Sequence, residues 1–292
     1  MDPLHLPPSM SKEEFRLLRE LINGHAGIWL GDEMVQSVER RLGERLVALR
    51  LGSFREYYHY LRYHPRSSVE LERAMEVLTT NETYLFREMP QLRAFTKQVL
   101  PAVKKQAAVR RALTVWSAGC SSGEEVYTLA ILIEESGLFH DWDVRIFGND
   151  ISRKVLQTAR KGVFRESSFR AFPPGYDRYF VQTPEGRLVD PKIRAKCFFG
   201  HFNLFDVQRV SIVGQVDVIF CRNVLIYFDK ESRRRLIQTF HDRLHPGGYL
   251  MLGHSESLLN VSTAFELAHL NGDLAYRKAE GQRGAEPKEP EV

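Results

Sequence analysis

At 292 residues, with 43% apolar and 27% charged residues, the chain is long enough for one large domain and a smaller one. A net charge of +4 excludes a global cationic field, so any anionic partner has to be met by a local patch. Cys120, Cys197 and Cys221 stand far apart with no C-x-x-C pair, which argues against a disulfide framework and fits a reducing compartment. There is no apolar stretch near 18 residues and no basic-then-apolar leader, so the expectation is a cytoplasmic protein without membrane insertion.

Residues 1–10 hold three prolines and predict irregular chain. Ser11-x-x-Glu14 is a capping box, followed by Phe15, Leu18, Leu21 and Ile22 at helical spacing. A second helix, about 34–51, sets Val38, Leu42, Leu46 and Leu49 on one face. Arg40, Arg41, Arg45 and Arg50 lie elsewhere around it, either as a solvated face or as a patch for an acidic partner helix. Phe54–Tyr63 and Val69–Leu78 read as two more helices, broken by Pro65, so residues 1–78 predict an all-helical domain. The segment from Leu78 to Glu88 is polar, then aromatic, with a lone Arg87. It predicts a linker (79–100) leading into a helix that ends before Pro101, placed where it could cover a ligand.

From residue 101 to 278 the pattern is αβ. Leu113–Trp116 predicts a buried strand, Ser117–Gly123 a small-residue turn, and Glu124 the start of a helix. This is the opening of a βαβ unit, but G-x-G-x-x-G is not met and two glutamates stand where a pyrophosphate would lie. The turn suits an uncharged or cationic part of a nucleoside ligand, or is only a tight turn with carboxylates complementing the helix dipole. Val144–Phe147 is a second strand with Asp150 at its tip, where nucleotide folds hold ribose hydroxyls. Ser152 caps a helix through Arg160.

Residues 164–200 break the rhythm, with Pro173-Pro174-Gly175, a hairpin around Pro184-Glu185-Gly186 and a basic stretch at Lys192, Arg194 and Lys196. They predict a small inserted β-subdomain. Phe198–Leu204 and Val216–Cys221 resume the pattern, then a helix over Lys230–Leu244 stopped by Pro246-Gly247-Gly248, and a strand over Tyr249–Leu252. Phe265–Leu270 and Leu274–Lys278, joined by Asn271-Gly272, predict a hairpin with a primed turn. The tail 279–292 is charged and reads as disordered. A parallel sheet finished by an antiparallel hairpin is the α/β architecture typical of Rossmann-like methyltransferases.

Four separated segments, and a fifth, resemble one family: Thr79–Glu88, Trp116–Glu125, Asp150-Ile151-Ser152, Phe220–Asp229, and Gly253-His254-Ser255-Glu256-Ser257. In order and spacing, from about residue 11 to 278, the chain resembles the chemotaxis receptor glutamate methyltransferases of the CheR family. The resemblance implies a Rossmann-like, S-adenosylmethionine-dependent enzyme that methylates receptor glutamates and releases S-adenosylhomocysteine. It implies that Asn81, Thr83 and Arg87 line the cofactor from the linker, and that Gly119 belongs to the cofactor loop. Glu125 lies beside the amino-acid end of the cofactor, Asp150 takes the ribose, and Asn203 and Leu204 border the adenine. Arg222, Asn223 and Tyr227 close the site near the methyl group, with Arg87 and Tyr227 as the catalytic pair. The helix carrying Arg40, Arg41 and Arg45 meets the receptor's methylated helices. The hairpin tip (182–187) looks shorter than in members that bind a receptor's C-terminal peptide. A monomer without metal and without a nucleic-acid partner is expected.

The residue types suit that chemistry. A glutamate has a reference pKa of about 4.3 and is already a nucleophile at neutral pH, so no general base is required. Catalysis then rests on aligning carboxylate oxygen, methyl carbon and sulfonium, which can supply on the order of 7–11 kcal/mol. Charges cancel as the bond forms, so a dry site helps. Arg87 orients the carboxylate at the risk of stabilising the ground state, whereas Tyr227 offers a weaker hydrogen bond. A hydrolase reading of Gly253–Ser257 fails because the elbow's last glycine is Ser257 and because His269 precedes Asp273. His241 and His245 lack the H-E-x-x-H glutamate. The Asn/Asp-Pro-Pro-aromatic motif of amino-methylating enzymes is replaced by Arg222-Asn223-Val224. The alternatives left are a methyltransferase acting on another protein or on nucleic acid, and a cofactor-binding scaffold without turnover.

Overall fold

The computed structural model describes residues 8–280. Most of the proline-rich start and the tail from 281 onward lie outside the described residues. Four helices come first: α1 (Lys12–Ala26), α2 (Val35–Leu49), α3 (Phe54–Tyr63) and α4 (Ser67–Leu78). The Ser11 hydroxyl accepts from the Glu14 N–H while the Glu14 carboxylate accepts from the Ser11 N–H, so α1 begins on its capping box. Gly27, at φ 69°, closes α1 in the left-handed conformation that glycine adopts without strain. Leu18, Ile22, Leu42, Leu46, Tyr57 and Met75 are fully buried in one apolar cluster that the four helices share.

Two of the arginines expected on a docking face are turned inward. Arg45 forks onto Glu70, Nε to Oε1 and Nη2 to Oε2 at 2.8 Å each, and the Tyr57 hydroxyl donates to the same carboxylate at 2.9 Å. Arg41 Nη1 donates to the Leu78 carbonyl at 2.8 Å, where α4 runs out of its own N–H partners. Amphipathic spacing cannot distinguish a solvated arginine from one that neutralises a buried glutamate on a neighbouring helix. Arg40 and Arg50 remain exposed.

The helix after the linker does not end before Pro101. It runs as α5 (Met89–Ala94), a π turn (Phe95–Val99) and α6 (Leu100–Gln106). The wider turn, closed by the Leu100 N–H on the Phe95 carbonyl, admits at the start of α6 a proline that has no N–H to donate.

The strands are β1 (Ala112–Ala118), β2 (Asp143–Asp150), β3 (Val163–Phe164), β4 (Phe180–Thr183), β5 (Gly186–Val189), β6 (Cys197–His201), β7 (Val216–Cys221), β8 (Leu244–Leu252), β9 (Phe265–Leu270) and β10 (Asp273–Lys278). Seven of them form one sheet in the order β6-β2-β1-β7-β8-β10-β9. The first five are parallel, and the β9–β10 hairpin is antiparallel. Alternate residues of β1 and β7 feed opposite faces, Leu113, Val115 and Phe220 on one side, Trp116, Ala118 and Ile219 on the other. Helix α7 (Glu124–Glu135) covers the first face with α5 and α6, and α11 (Lys230–Arg243) covers the second. Ser152 caps α8 (Arg153–Lys161), as its position predicts. The short helices α9 (Pro191–Arg194) and α10 (Val207–Val210) lie between β5 and β7. The interruption of the αβ rhythm is a separate sheet, β3-β5-β4.

Two turns differ from expectation. Strand β8 starts at Leu244, so Pro246-Gly247-Gly248 lies inside it at a register shift against β7 rather than ahead of it. A Cβ on Gly248 would come within 2.8 Å of the Asp217 carbonyl, which explains glycine there. The β9–β10 turn is not primed: Gly272 has φ 86°, but Asn271 is not in the left-handed region that a type I′ or II′ turn requires of it. Among the described residues, no helix is long and apolar enough to cross a membrane.

Candidate active site

The chain leaves β1 for β2 on one side and reaches β7 on the other, so a crevice opens at the carboxyl ends of these strands, at the switch point of the sheet. The turn after β1 is tight. Gly119 (φ 79°), Ser121 (φ 49°) and Gly123 (φ 93°) all hold positive φ, and the N–H groups of Gly119 and Cys120 donate to the Asn149 carbonyl at 2.9 and 2.8 Å. The Asn149 side chain is buried between the Trp116 indole N–H, at 2.8 Å, and the Phe202 carbonyl, at 3.2 Å. These bonds tie the tips of β1, β2 and β6 together.

Asp150 ends β2 and is buried. Its two oxygens each accept one backbone N–H at 2.9 Å, Oδ2 from Ser121 and Oδ1 from Ser152, which leaves a lone pair on each. Burial raises its pKa above the ordinary aspartate range, against the pull of those N–H donors. The two glutamates that open α7 diverge. Glu125 faces the crevice, where it accepts from the Ser117 hydroxyl at 2.7 Å and pairs with Arg222 at 3.1 Å. Glu124 turns away to the hydroxyls of Ser122, at 2.7 Å, and Ser168, at 2.8 Å, and burial pushes its pKa up.

The linker crosses the front. Phe86 (φ 59°) and Glu88 (φ 61°) flank Arg87 in the left-handed region, an arrangement that costs energy and recurs where function needs a fixed side chain. Arg87 Nη1 donates to the Glu82 carbonyl at 3.2 Å, and its guanidinium lies 5.7 Å from the Tyr84 ring. Arg222 is 3% exposed and bridges Glu88 at 3.0 Å and Glu125 at 3.1 Å, while its Nη2 donates to the Arg87 carbonyl at 2.6 Å. It therefore fixes the backbone that carries Arg87. Asn223 follows at φ 59°, and its amide oxygen is buried with no partner among the described residues.

One cavity of about 370 Å³ takes in Asn81, Thr83, Arg87, Gly119, Glu125, Asp150, Asn203, Leu204, Arg222, Asn223 and Tyr227. Arg40, Arg41 and Arg45 do not reach it. Its roof went unnoticed in the sequence: Ala26, Ile28, Trp29, Leu30 and Met34 come from the helical segment. Ile28 pairs with Phe228 in an isolated antiparallel bridge, and the Trp29 N–H donates to the Tyr227 carbonyl at 2.8 Å. The Asn203 amide reaches the His25 carbonyl at 2.6 Å, and Asn23 reaches Asp229 at 2.7 Å. The available signal was the apolar run Ile28-Trp29-Leu30, which belongs to neither flanking helix. Of the inserted basic stretch, Lys196 pairs with Glu134 and Arg194 donates to the Arg160 carbonyl at 3.3 Å, which leaves Lys192 exposed.

Comparison with known proteins gives two family matches, the CheR methyltransferase all-alpha domain over residues 13–79 and the CheR methyltransferase SAM binding domain over residues 81–272. Chemotaxis protein methyltransferase 2 of Vibrio cholerae is 36% identical over 269 residues, covering 91% of this chain and 92% of that protein. Chemotaxis protein methyltransferase 2 of Pseudomonas aeruginosa is 37% identical over 276 residues, 92% of this chain and 94% of its own. The chemotaxis protein methyltransferase of Salmonella typhimurium is 34% identical over 265 residues, 89% and 88%.

Proposed function

The chain belongs to the CheR methyltransferase family, and on that premise we propose that it methylates side-chain carboxylates of glutamates in chemoreceptor cytoplasmic helices. The methyl donor is S-adenosylmethionine and the products are glutamate methyl esters and S-adenosylhomocysteine. The observation that carries this reading is a cavity that joins Asp150 and the turn after β1 to Arg87 and Tyr227. The residues fit the donor. Asp150 keeps a free lone pair on each oxygen for ribose hydroxyls. The orphaned Asn223 amide oxygen marks a place for a ligand group.

When bound, S-adenosylmethionine supplies an electrophilic methyl group on a sulfonium. Asp150 holds the ribose, Asn203 and Leu204 border the adenine, and Asn81, Thr83, Gly119 and Glu125 flank the remainder. Arg222 cancels part of the negative charge of Glu88 and Glu125 and keeps Arg87 in place. Arg87 and Tyr227 orient the incoming carboxylate, which needs no base because it is already ionised. The roof contributed by Ile28 and Leu30 keeps water out as charges cancel. Residues 1–78 form the receptor-facing domain, and the cytoplasm is where such a substrate is met.

Incubation with labelled S-adenosylmethionine and a receptor signalling domain tests the reading. Base-labile label on glutamate is expected, and base-stable label, or label on nucleic acid, would move the assignment to another substrate. Arg87→Ala should lower turnover at least roughly tenfold, about 1.4 kcal/mol, with an unchanged melting temperature. Wild-type turnover would remove Arg87 from the catalytic pair.

A further inference from the structure

Glu256 has no part in the assignments above, yet its carboxylate gathers four backbone N–H groups. Oε2 accepts from Gly253 and Asn223, each at 2.8 Å, and Oε1 accepts from Val224 at 2.9 Å and Ile226 at 3.3 Å. Three of those donors belong to the loop that follows β7, beyond the end of its strand pairing at Cys221. Amides of such a loop, turned to one side, need an acceptor from elsewhere in the chain. The segment Gly253–Glu256 is itself a turn, closed by the Glu256 N–H on the Gly253 carbonyl at 2.9 Å. A side chain at its start would crowd the carboxylate, because a Cβ there would stand 2.9 Å from Glu256 Oε2 and 3.0 Å from the Asn223 nitrogen.

The loop so held is the one that brings Asn223 and Tyr227 to the cavity. Asn223 is the residue most in need of restraint, being a non-glycine at φ 59° with a buried, unpartnered amide oxygen. Resting on the proposed methyl-transfer reading, we propose that Glu256 is the positioning residue of the reactive end of the site. Its carboxylate takes the place of a missing strand partner and holds the 223–227 loop at the geometry that transfer needs. It touches neither ligand nor reacting atoms and acts through Asn223 and Tyr227. The segment that sequence comparison set against a hydrolase elbow thus serves through its glutamate rather than its serines.

Glu256→Gln keeps the shape but turns an NH2 group toward N–H donors. Turnover should fall roughly 10- to 100-fold, while the affinity for S-adenosylhomocysteine changes by less than about threefold. Gly253→Ala, which crowds the carboxylate without removing it, should show the same split. Combining Glu256→Gln with Asn223→Ala should cost less than the product of the two single losses, since both act through one loop, whereas a merely structural role would multiply the losses. Wild-type turnover in Glu256→Gln, or multiplicative loss in the pair, overturns the proposal. Amide hydrogen exchange at residues 223–226 is read in parallel and does not depend on the substrate. If the wild type methylates no glutamate, the functional reading falls and exchange decides for Glu256 alone. Faster exchange in Glu256→Gln supports the proposal, and unchanged exchange overturns it.

Discussion

Asp150 does two jobs with one carboxylate: it pins the turn after β1 through Ser121 and offers its remaining lone pairs to the cavity. Asp150→Ala should therefore weaken binding of S-adenosylhomocysteine by about 1.5–3 kcal/mol, the range for hydrogen bonds to a charged group. Unchanged calorimetric affinity in the folded variant would remove Asp150 from the ribose. Glu124 sits at the next level of depth, and its pKa is raised chiefly by burial, the serine hydroxyls pulling the other way. The folded state thus keeps its proton to higher pH than the unfolded chain, whose glutamate ionises near 4.5. Stability from this group is complete below that value and is lost as pH rises through the raised folded value. Glu124→Gln should flatten the decline over that window, seen as a pH-dependent difference between the urea midpoints of variant and wild type. Parallel profiles would mean that Glu124 ionises normally. The place of Asp150 at the cavity was legible in the sequence because strand tips at a switch point are where ligands meet side chains, whereas that of Glu125 came only with the family resemblance. Glu256 was not legible, because its partners are backbone amides, which carry no sequence signal.

Helix α2 illustrates what periodicity can and cannot say. Its apolar stripe was readable, but Arg45 is 17% exposed and forks onto a Glu70 that is 3% exposed, so it belongs to the interior of the helical domain. Arg45→Ala should cost on the order of 3 kcal/mol by stranding that carboxylate, read as a lower denaturant midpoint. A charge reversal there would test folding rather than docking. If the receptor docks on α2, exposed Arg40 and Arg50 are the arginines left to meet it, and Arg40→Glu should raise the Michaelis constant for receptor and leave cofactor affinity alone. Added salt should narrow the gap to wild type, as the Debye length falls from about 10 Å at 0.1 M to about 3 Å at 1 M. An Arg40→Glu variant with the wild-type constant would make α2 a solvated face. The strands were legible for the same reason that the stripe was: buried runs bounded by turn residues. Pro101, Pro246 and Asn271 misled because a π turn, a strand irregularity and a non-primed turn are answers to tertiary packing, each at a residue whose local preference points elsewhere.

Across the whole molecule, the cavity is roofed by the helical domain and floored by the sheet, so ligand binding bears on both. Adding S-adenosylhomocysteine at 100 times its dissociation constant should stabilise the chain by about 2.7 kcal/mol. Amides of residues 28–30, not only those near Asp150, should exchange more slowly. Protection confined to the sheet would mean that the roof takes no part in binding. The clasp that closes the roof joins Asn23 to Asp229, positions 206 apart. During synthesis the helical domain leaves the ribosome early and has its own apolar cluster to bury. Its share of the cavity, by contrast, has nothing to close upon until Tyr227, Phe228 and Asp229 have emerged. A nascent chain halted anywhere before that point leaves the backbone of Ile28 and Trp29 without its partners in Phe228 and Tyr227, and the cavity open on that side. Competence for the ligand is therefore a late event in the life of the polypeptide, and truncated products released by the cell should not compete for its pool of methyl donor.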